Sequence, residues 1–148
     1  IIGYSGAGKS TLARKLGLIV QADVLHFDAV QFLPGWEIRS EEKKKKITKD
    51  FMDSHDSWVI EGNYTKLYYE RRMTEADLII MLLFNRFSCL YRAIRRYIKY
   101  KNTTRPDMGE GCNEKLDREF IRWILYDQRK SKPQIYAQVC HKKPETVG

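Results

Sequence analysis

The first residues of the chain combine types and spacing that suit phosphate chemistry. Residues 3–10 read Gly-Tyr-Ser-Gly-Ala-Gly-Lys-Ser and complete the pattern G-x-x-x-x-G-K-[ST]. The glycines let the backbone curl so that its N–H groups point inward, where phosphate oxygens can accept hydrogen bonds. Lys9 supplies a mobile positive charge for β- and γ-phosphates, and the Ser10 hydroxyl can bind Mg²⁺. This segment therefore predicts a nucleoside triphosphate site.

The flanking residues predict the strand and helix that such a loop needs. Ile1-Ile2 is typical of the end of a buried strand, and residues 11–16 predict a helix with Leu12 and Leu16 on one face. The positive end of the helix dipole would lie beneath the phosphates. A plain Gly-rich turn is the alternative, which this context disfavours. The predicted nucleotide contacts in the loop are Gly3, Ser5, Gly6, Ala7, Gly8, Lys9, Ser10 and Thr11.

Two acids follow predicted strands and are candidates for the chemistry. Short apolar runs at residues 1–2, 24–27, 58–60 and 78–84 alternate with helical patterns, which predicts an α/β fold with a parallel sheet. Ligands of such sheets bind beyond the carboxyl ends of the strands. Glu61 is the candidate for orienting Mg²⁺ together with Ser10, although it could be an ordinary turn acid. Asp28 is the candidate to hold the acceptor hydroxyl or to act as its base.

The positive charge of the chain is concentrated after the fourth run. Residues 78–106 contain no acid, and an apolar helical pattern there comprises Phe87, Leu90, Tyr91, Ile94, Tyr97 and Ile98. A mobile loop is predicted at 102–111, followed by a helix that begins near Asn113 and buries Leu116, Phe120, Trp123 and Ile124. Together these segments suggest an Arg-rich helical lid. Its candidates for contacting phosphates are Arg105, Arg96 and Arg122; the alternative is that most such arginines only cover apolar surface.

A third helix is predicted between the second and third apolar runs. Pro34-Gly35-Trp36 predicts a turn, and Ser40 is expected to cap a helix that buries Ile47 and Phe51. Residues 43–46 are four consecutive lysines. We interpret them as a solvated helix face and not as a nucleic-acid patch.

Length and composition limit the classes of protein. The 148 residues predict one domain, with a core of about 1–86 and 113–148 and a lid of about 87–112. The formal charge of +8 suits a phosphate-rich ligand but does not distinguish nucleotides from nucleic acids. Three cysteines without C-x-x-C spacing, and three histidines without ligand spacing, predict a cytoplasmic protein without disulfides or zinc. The longest apolar run is far short of the ~20 residues that span a bilayer, so no membrane partner is expected.

The pattern resembles the small P-loop kinases, the class of adenylate, shikimate and gluconate kinases. Glu61-Gly62 is similar to the Asp-Gly after the third strand of nucleoside monophosphate kinases, and Arg105-Pro106 resembles the lid Arg-Pro of shikimate kinases. Nearly the whole chain resembles the bacterial DNA topology modulation proteins, an adenylate-kinase-like group. The matching stretches are residues 1–13, 25–28, 34–36, 58–64, 89–92 and 104–112. The resemblance implies a three-layer P-loop NTPase fold with a parallel sheet, nucleoside/shikimate kinase-like.

The chain departs from this group in two places. Members often carry an acid near the end of the fourth strand, where this chain has Leu83. They also continue into a fifth strand whose following loop contacts the adenine, so we expect further residues beyond Gly148, and a few before Ile1. Base specificity is therefore not predicted.

Three functions are compatible with these features. The first is an ATP- and Mg²⁺-dependent phosphotransferase with catalytic residues Lys9, Asp28, Glu61 and Arg105 and a small acceptor, such as a nucleotide or nucleoside. The second is a nucleotide-dependent DNA-binding regulator, which the group name and the charge suggest. The third, an ATPase switch, lacks an evident acid on the fourth strand and a water-positioning residue. Trp36, Tyr64 and Tyr68 could stack a base, with core packing as the alternative.

Overall fold

The computed structural model describes residues 1–130, Ala137 and Val139. The rest of the predicted core at 131–148, including Cys140 and His141, lies outside the described residues. The strands are β1 Ile2–Gly3, β2 Asp23–His26, β3 Phe32–Leu33, β4 Glu37–Ile38, β5 Trp58–Glu61 and β6 Met81–Leu82. The helices are α1 Lys9–Val20, α2 Phe27–Gln31, α3 Glu41–Ser54, α4 Tyr69–Glu75, α5 Arg86–Tyr100 and α6 Arg118–Arg122, which a π-helical turn, Trp123–Asp127, follows.

The fold is mixed α/β with small parallel sheets. β1 pairs with β6 and β2 pairs with β5, both in parallel, while β3 and β4 form an antiparallel hairpin around the predicted Pro34–Trp36 turn. Each of the four predicted apolar runs contributes a strand. The two parallel pairs also touch, because Ile1 N donates to Ile60 O at 2.7 Å and Gly62 N donates to Ile1 O at 3.0 Å. The carboxyl ends of β1 and β5 therefore lie side by side.

Two apolar clusters lie around these strands. One contains residues of β1, β6 and α5 with Ile124; the other contains residues of α2, α3 and β5. The first comprises Ile2, Tyr4, Ala7, Ile79, Met81, Cys89, Ala93, Ile124 and Val139, and the second comprises Phe27, Val30, Met52, Ile60 and Leu67. No helix in the described part of the chain is long and apolar enough to cross a membrane.

α5 forms in the stretch where the sequence predicts a helix, but four of the six apolar residues of its predicted face are exposed, and Leu90 alone packs against the first cluster. Phe87 and Ile98 are 73% and 70% exposed, whereas Cys89 and Ala93 are buried. The reason is a close approach between backbones: a Cβ built on Gly6 would lie 2.5 Å from the carbonyl oxygen of Cys89. Only small side chains can face the loop of residues 3–10, the predicted phosphate-binding loop, at that distance, so Phe87 and Ile98 point away from it.

The prediction for α3 needs correction, because Ile47 and Phe51 are only half-buried and Lys44 is buried. The helix follows Ser40 as expected, although the Ser40 side chain forms no capping hydrogen bond. Lys44 is buried rather than solvated, and its Nζ donates to Gln31 Oε1 at 2.9 Å and to Glu41 Oε1 at 2.5 Å. A carboxylate and an amide oxygen replace the water that a buried ammonium loses, which permits this lysine to face inward.

The segment after the predicted loop is not helical at Asn113. Bridges pair Lys101 with Glu114 and Thr104 with Asn113, so α6 begins only at Arg118. Asp117 caps this helix by accepting a hydrogen bond from Phe120 N at 2.8 Å. Ile124 is buried as predicted. Trp123 is 38% exposed, because it lies on the rim of the phosphate-binding loop, as described below.

Candidate functional site

The phosphate-binding loop connects β1 to α1 as the sequence predicts. Gly6 and Gly8 have φ angles of 80° and 96°, which L side chains rarely adopt. A Cβ on Gly8 would meet no described atom within 4 Å, so there is open space beside this glycine. The loop thus has the left-handed glycines that are typical of loops that bind phosphate.

Lys9 and Ser10 stand at the start of α1, next to β5. Lys9 Nζ donates to Tyr4 O at 3.1 Å, and Ser10 Oγ donates to Glu61 Oε1 at 2.9 Å. Burial lowers the pKa of Lys9, against the charges of Glu61 and Asp28, which raise it. An anionic ligand beside this ammonium would offset the cost of its burial.

Glu61 is buried and has two partners on one carboxylate oxygen. His26 Nδ1, at the end of the neighbouring strand β2, donates to the same Oε1 at 3.0 Å. Burial raises the pKa of Glu61, but the hydrogen bond from His26, the charge of Lys9 and the hydrogen bond from Ser10 outweigh it, so the pKa lies below its ordinary value. Glu61 is therefore a fixed carboxylate that faces the loop hydroxyl.

Asp28 and Arg105 lie together. Asp28 is in the first turn of α2, where its Oδ1 accepts from the Tyr64 hydroxyl at 2.8 Å and its Oδ2 from Arg105 Nη2 at 3.4 Å. Burial and the Asp28 charge raise the pKa of Tyr64, so the phenol stays protonated and remains a donor. The geometry joins the predicted acceptor carboxylate to the predicted lid arginine.

Arg105 belongs to a network of three arginines and three acids. Its Nε lies 3.4 Å from Asp107 Oδ2 and 3.5 Å from Glu114 Oε2. Arg14 Nη1 donates to Asp107 at 3.1 Å, and Arg96 Nε donates to Glu114 at 2.6 Å. Arg105, Asp107 and Glu114 are buried, so the 102–114 segment is tied to α1, α2 and α5 by charge pairs.

Burial and neighbouring charges shift the pKa values of two members of this network, Arg96 and Asp107. Burial lowers the pKa of Arg96, as does the neighbouring Arg105 charge, while Glu114 opposes both. Burial raises the pKa of Asp107, but the charge of Arg105 outweighs it, so that pKa is lowered. Asp107 therefore stays ionised between Arg105, Arg14 and the phosphate-binding loop.

The remaining predicted loop residues face α5 and the C-terminal helical segment. Ser5 N donates to Gln128 Oε1 at 2.7 Å, and Trp123 Nε1 donates to Ser5 Oγ at 3.2 Å. The carbonyl oxygen of the buried Ala7 accepts from Arg92 Nη1 at 3.4 Å. Thr11 is exposed in the first turn of α1.

Arg122 lies apart from the other predicted phosphate contacts. Its side chain is 73% exposed and its Nε is 3.4 Å from Asp127 Oδ2. Its neighbour Trp123 contacts the loop instead. The structure thus brings Lys9, Ser10, Asp28, Glu61, Arg96 and Arg105 together and leaves Arg122 on the outer surface of the same segment.

Sequence reasoning missed several residues that hold the site in place. Asn63 bonds both backbone atoms of Gly3: its Oδ1 accepts from Gly3 N at 3.0 Å and its Nδ2 donates to Gly3 O at 2.6 Å. Its position two residues after Glu61, at a strand end, was the available signal. His26, the last residue of β2, gave the same kind of signal. The sequence contains no such signal for four further residues, because only the folded chain brings them close to the loop. They are Arg14, Asp107, Glu114 and Gln128.

These residues fit a nucleotide with Mg²⁺. The loop offers left-handed glycines, open space at Gly8 and an ammonium at Lys9, which suit phosphate oxygens. The oxygens of Ser10 and Glu61, 2.9 Å apart, are the hard donors that Mg²⁺ prefers, either directly or through water. The described residues contain no cluster of three or more His, Cys, Asp or Glu side chains suited to a metal, so substrate phosphates and water would have to complete the coordination.

Comparison with known proteins adds no family. No protein-family model matches the chain, and a search of curated proteins finds no match.

Proposed function

We propose that the protein is a Mg²⁺-dependent phosphotransferase that moves the γ-phosphoryl group of ATP to a small acceptor. The observation that carries the proposal is the 2.9 Å hydrogen bond between Ser10 and Glu61. It joins a hydroxyl at the end of a phosphate-binding loop to a carboxylate at the end of an adjacent parallel strand, where ligands of α/β sheets bind.

Each neighbouring group has a role in this proposal. Lys9 and the backbone amides at the start of α1 would hold the β- and γ-phosphates, and Arg105 would neutralise the charge that develops during transfer. Asp28 would accept the proton of the acceptor hydroxyl, with Tyr64 fixing the carboxylate orientation. When bound, Mg²⁺ would neutralise phosphate charge from the side of Ser10 and Glu61. Catalysis would depend mainly on positioning and electrostatics.

The proposed fold for this function is the three-layer P-loop arrangement with an Arg-rich lid. The hydrogen bonds of Ile1 with Ile60 and Gly62 support a sheet with the strand order β2, β5, β1, β6. In that order the loop after β1 lies between β5 and β6. The network around Arg105 would then connect the lid with the acceptor side of the loop.

A nucleotide-dependent DNA-binding regulator is the second candidate. This function is favoured by exposed basic residues on α5, which lie beside the exposed Tyr91. They are Arg92, Arg95 and Lys99. However, Arg105 is buried beside Asp28, and Arg96 pairs with the buried Glu114, so these arginines lie inside the site and not on a surface for a nucleic-acid backbone. We therefore prefer the kinase.

ATP consumption distinguishes the two candidates. The protein is assayed with Mg²⁺ against nucleoside monophosphates, nucleosides and small hydroxylated metabolites, with plasmid DNA as a separate addition. The kinase requires stimulation by one small acceptor together with a phosphorylated product. Stimulation by DNA alone, lost at raised salt, would favour the regulator.

The role of Arg105 has its own test. Arg105→Lys keeps the charge beside Asp107 and Glu114 but loses the planar fork. We expect ATP affinity within a few fold of wild type and single-turnover phosphoryl transfer slower by about 10² or more, since arginines in this role contribute on the order of 10³. Arg122→Lys is the matched control. Equal loss of affinity and transfer in Arg105→Lys would remove its assignment to the transition state.

A further inference from the structure

A pocket of about 290 Å³, which ATP binding does not explain, is lined in part by Tyr64, the hydrogen-bond donor to Asp28. Its walls come from the end of α2, the first turns of α3 and the segment after β5. The lining residues that carry its chemistry are Gln31, Glu41, Lys44, Asn63, Tyr64 and Lys66. Their amide, hydroxyl and charged groups can form hydrogen bonds and ion pairs with the polar groups of a ligand.

Two lining residues connect the pocket to the candidate acceptor carboxylate. Tyr64 donates its hydroxyl hydrogen bond to Asp28 at 2.8 Å. Gln31 follows Asp28 by three positions in α2, so the two side chains share a face of that helix. The pocket lining is thus linked to Asp28 through Tyr64 and along α2.

A third lining residue connects the pocket to the phosphate-binding loop. Asn63 holds the backbone N–H and carbonyl oxygen of Gly3, the first residue of the loop. The pocket lining is therefore linked both to the group proposed to accept a proton and to the loop proposed to hold the phosphoryl donor.

The charge of the pocket is positive. Lys44 and Lys66 stand against Glu41 alone, which leaves one positive charge among the lining residues. Lys44 is buried and pairs with Glu41 and Gln31, while Lys66 is exposed at the pocket wall. Lys66 is thus the cation placed to meet an anionic group of a ligand.

The size of the pocket restricts the ligand further. Pockets for drug-sized molecules span about 300–1,000 Å³, so this one is at the small end of that range. A compact sugar-like or three-carbon molecule fits this volume better than an extended polymer.

We propose that this pocket binds the phosphoryl acceptor, and that the acceptor is a small hydroxylated molecule with one phosphate or carboxylate group held by Lys66. This inference rests on the proposed phosphotransferase function. In the step, the acceptor oxygen forms a bond to the γ-phosphorus of ATP, the bond from that phosphorus to the bridging oxygen breaks, ADP leaves, and Asp28 takes the hydroxyl proton. Phosphate and carboxylate offer the same chemistry to a lysine, and separate probes distinguish them.

The test is calorimetric titration of the protein, with its phosphate-binding loop first filled by Mg²⁺ and a non-hydrolysable ATP analogue. The probes are ribose 5-phosphate against ribose and glycerate against glycerol, each pair differing in the anionic group. We expect the anionic member of at least one pair to bind about tenfold or more tightly than its neutral counterpart, and Lys66→Gln to abolish that preference. Lys43→Gln removes the same charge from the exposed face of α3 and should leave the preference unchanged.

Three results would overturn the pocket assignment. They are equal binding of anionic and neutral probes, no binding of any probe, or equal effects of Lys66→Gln and Lys43→Gln.

Product analysis separates this inference from the proposed function. ³¹P NMR of reactions with ATP detects transfer to any acceptor. Transfer to a neutral acceptor that Lys66→Gln leaves unchanged would overturn the pocket assignment and keep the phosphotransferase. Anionic binding that depends on Lys66, with no phosphoryl transfer to any acceptor, would support the anion pocket and refute the phosphotransferase.

Discussion

At the scale of single residues, Glu61 connects three parts of the site. One carboxylate oxygen accepts from Ser10 at the end of the loop and from His26 at the end of β2. His26 therefore has a positioning effect on Glu61, although the spacing of the histidines in the sequence predicted no ligand site.

Replacing Glu61 tests its predicted link to Mg²⁺. Glu61→Gln retains an oxygen acceptor for Ser10 and His26 but loses the charge. Since loss of a group that orients a metal costs about 10–100-fold in metal affinity, the Mg²⁺ concentration for half-maximal thermal stabilisation by ATP should rise at least roughly tenfold. Glu119→Gln, at an exposed position of α6, is the control. Identical Mg²⁺ curves for wild type and Glu61→Gln would refute the metal role.

The buried phenol of Tyr64 predicts a pH dependence of stability. Its folded-state pKa lies above the unfolded value of about 10, because burial and Asp28 disfavour the phenolate. The stabilisation is therefore complete below pH ~10 and is lost as pH rises, at up to about 1.4 kcal/mol per pH unit. Denaturant unfolding from pH 8 to 11 should show a shallower decline for Tyr64→Phe than for wild type. The exposed Tyr91→Phe should decline like wild type, and a Tyr64→Phe slope equal to wild type would contradict the argument.

At the scale of elements, α5 shows how one close contact reverses an amphipathic pattern. The helix packs Cys89 and Ala93 against the first apolar cluster, and Cys89 lies directly behind Gly6 of the loop. Phe87, Tyr91 and Ile98 remain exposed on the other side. The position of the phosphate-binding loop therefore depends on small residues of α5.

Two substitutions in α5 test this orientation. Ala93→Leu inserts volume into a fully packed face and should lower the free energy of unfolding by about 1–3 kcal/mol. Ile98→Ala, in the same helix, should change it by only about 0.5 kcal/mol, since the side chain is 70% exposed. Urea unfolding measures both. If the free energy of unfolding falls more in Ile98→Ala than in Ala93→Leu, the buried face of α5 is the one that the sequence pattern predicts.

At the scale of the whole molecule, the positive charge divides into two populations. Inside the site, acids pair with Arg14, Arg96 and Arg105. The basic residues on the outer side of α5 belong to residues 78–106, a stretch that contains no acid. The net charge of +8 is therefore a property of the surface more than of the site. Such a surface attracts polyanions without sequence preference and raises encounter rates with anionic ligands.

Salt dependence separates these two effects. We expect acceptor-stimulated ATP turnover to change by less than a few fold between 50 and 200 mM NaCl. Duplex DNA binding, followed by fluorescence anisotropy, should weaken by roughly 0.9 log units per log unit of salt for each phosphate contact. Arg95→Gln on the outer side of α5 should reduce DNA binding and leave turnover unchanged. Turnover that falls in parallel with DNA binding would favour the regulator.

The sequence by itself determined the features that depend on local order. Loop geometry follows from glycine spacing, the strands from short apolar runs, and the catalytic candidates from acids at strand ends. Lys9, Ser10 and Glu61 could be predicted to converge, because parallel strands present their carboxyl ends at one edge. The tertiary structure alone decided which faces are buried and which distant groups meet: the inward side of α5, the burial of Lys44, and the pairing of Arg105 with Asp107 and Glu114. These outcomes depend on backbone approach and on the desolvation of charges, which arise only when elements far apart in sequence pack together.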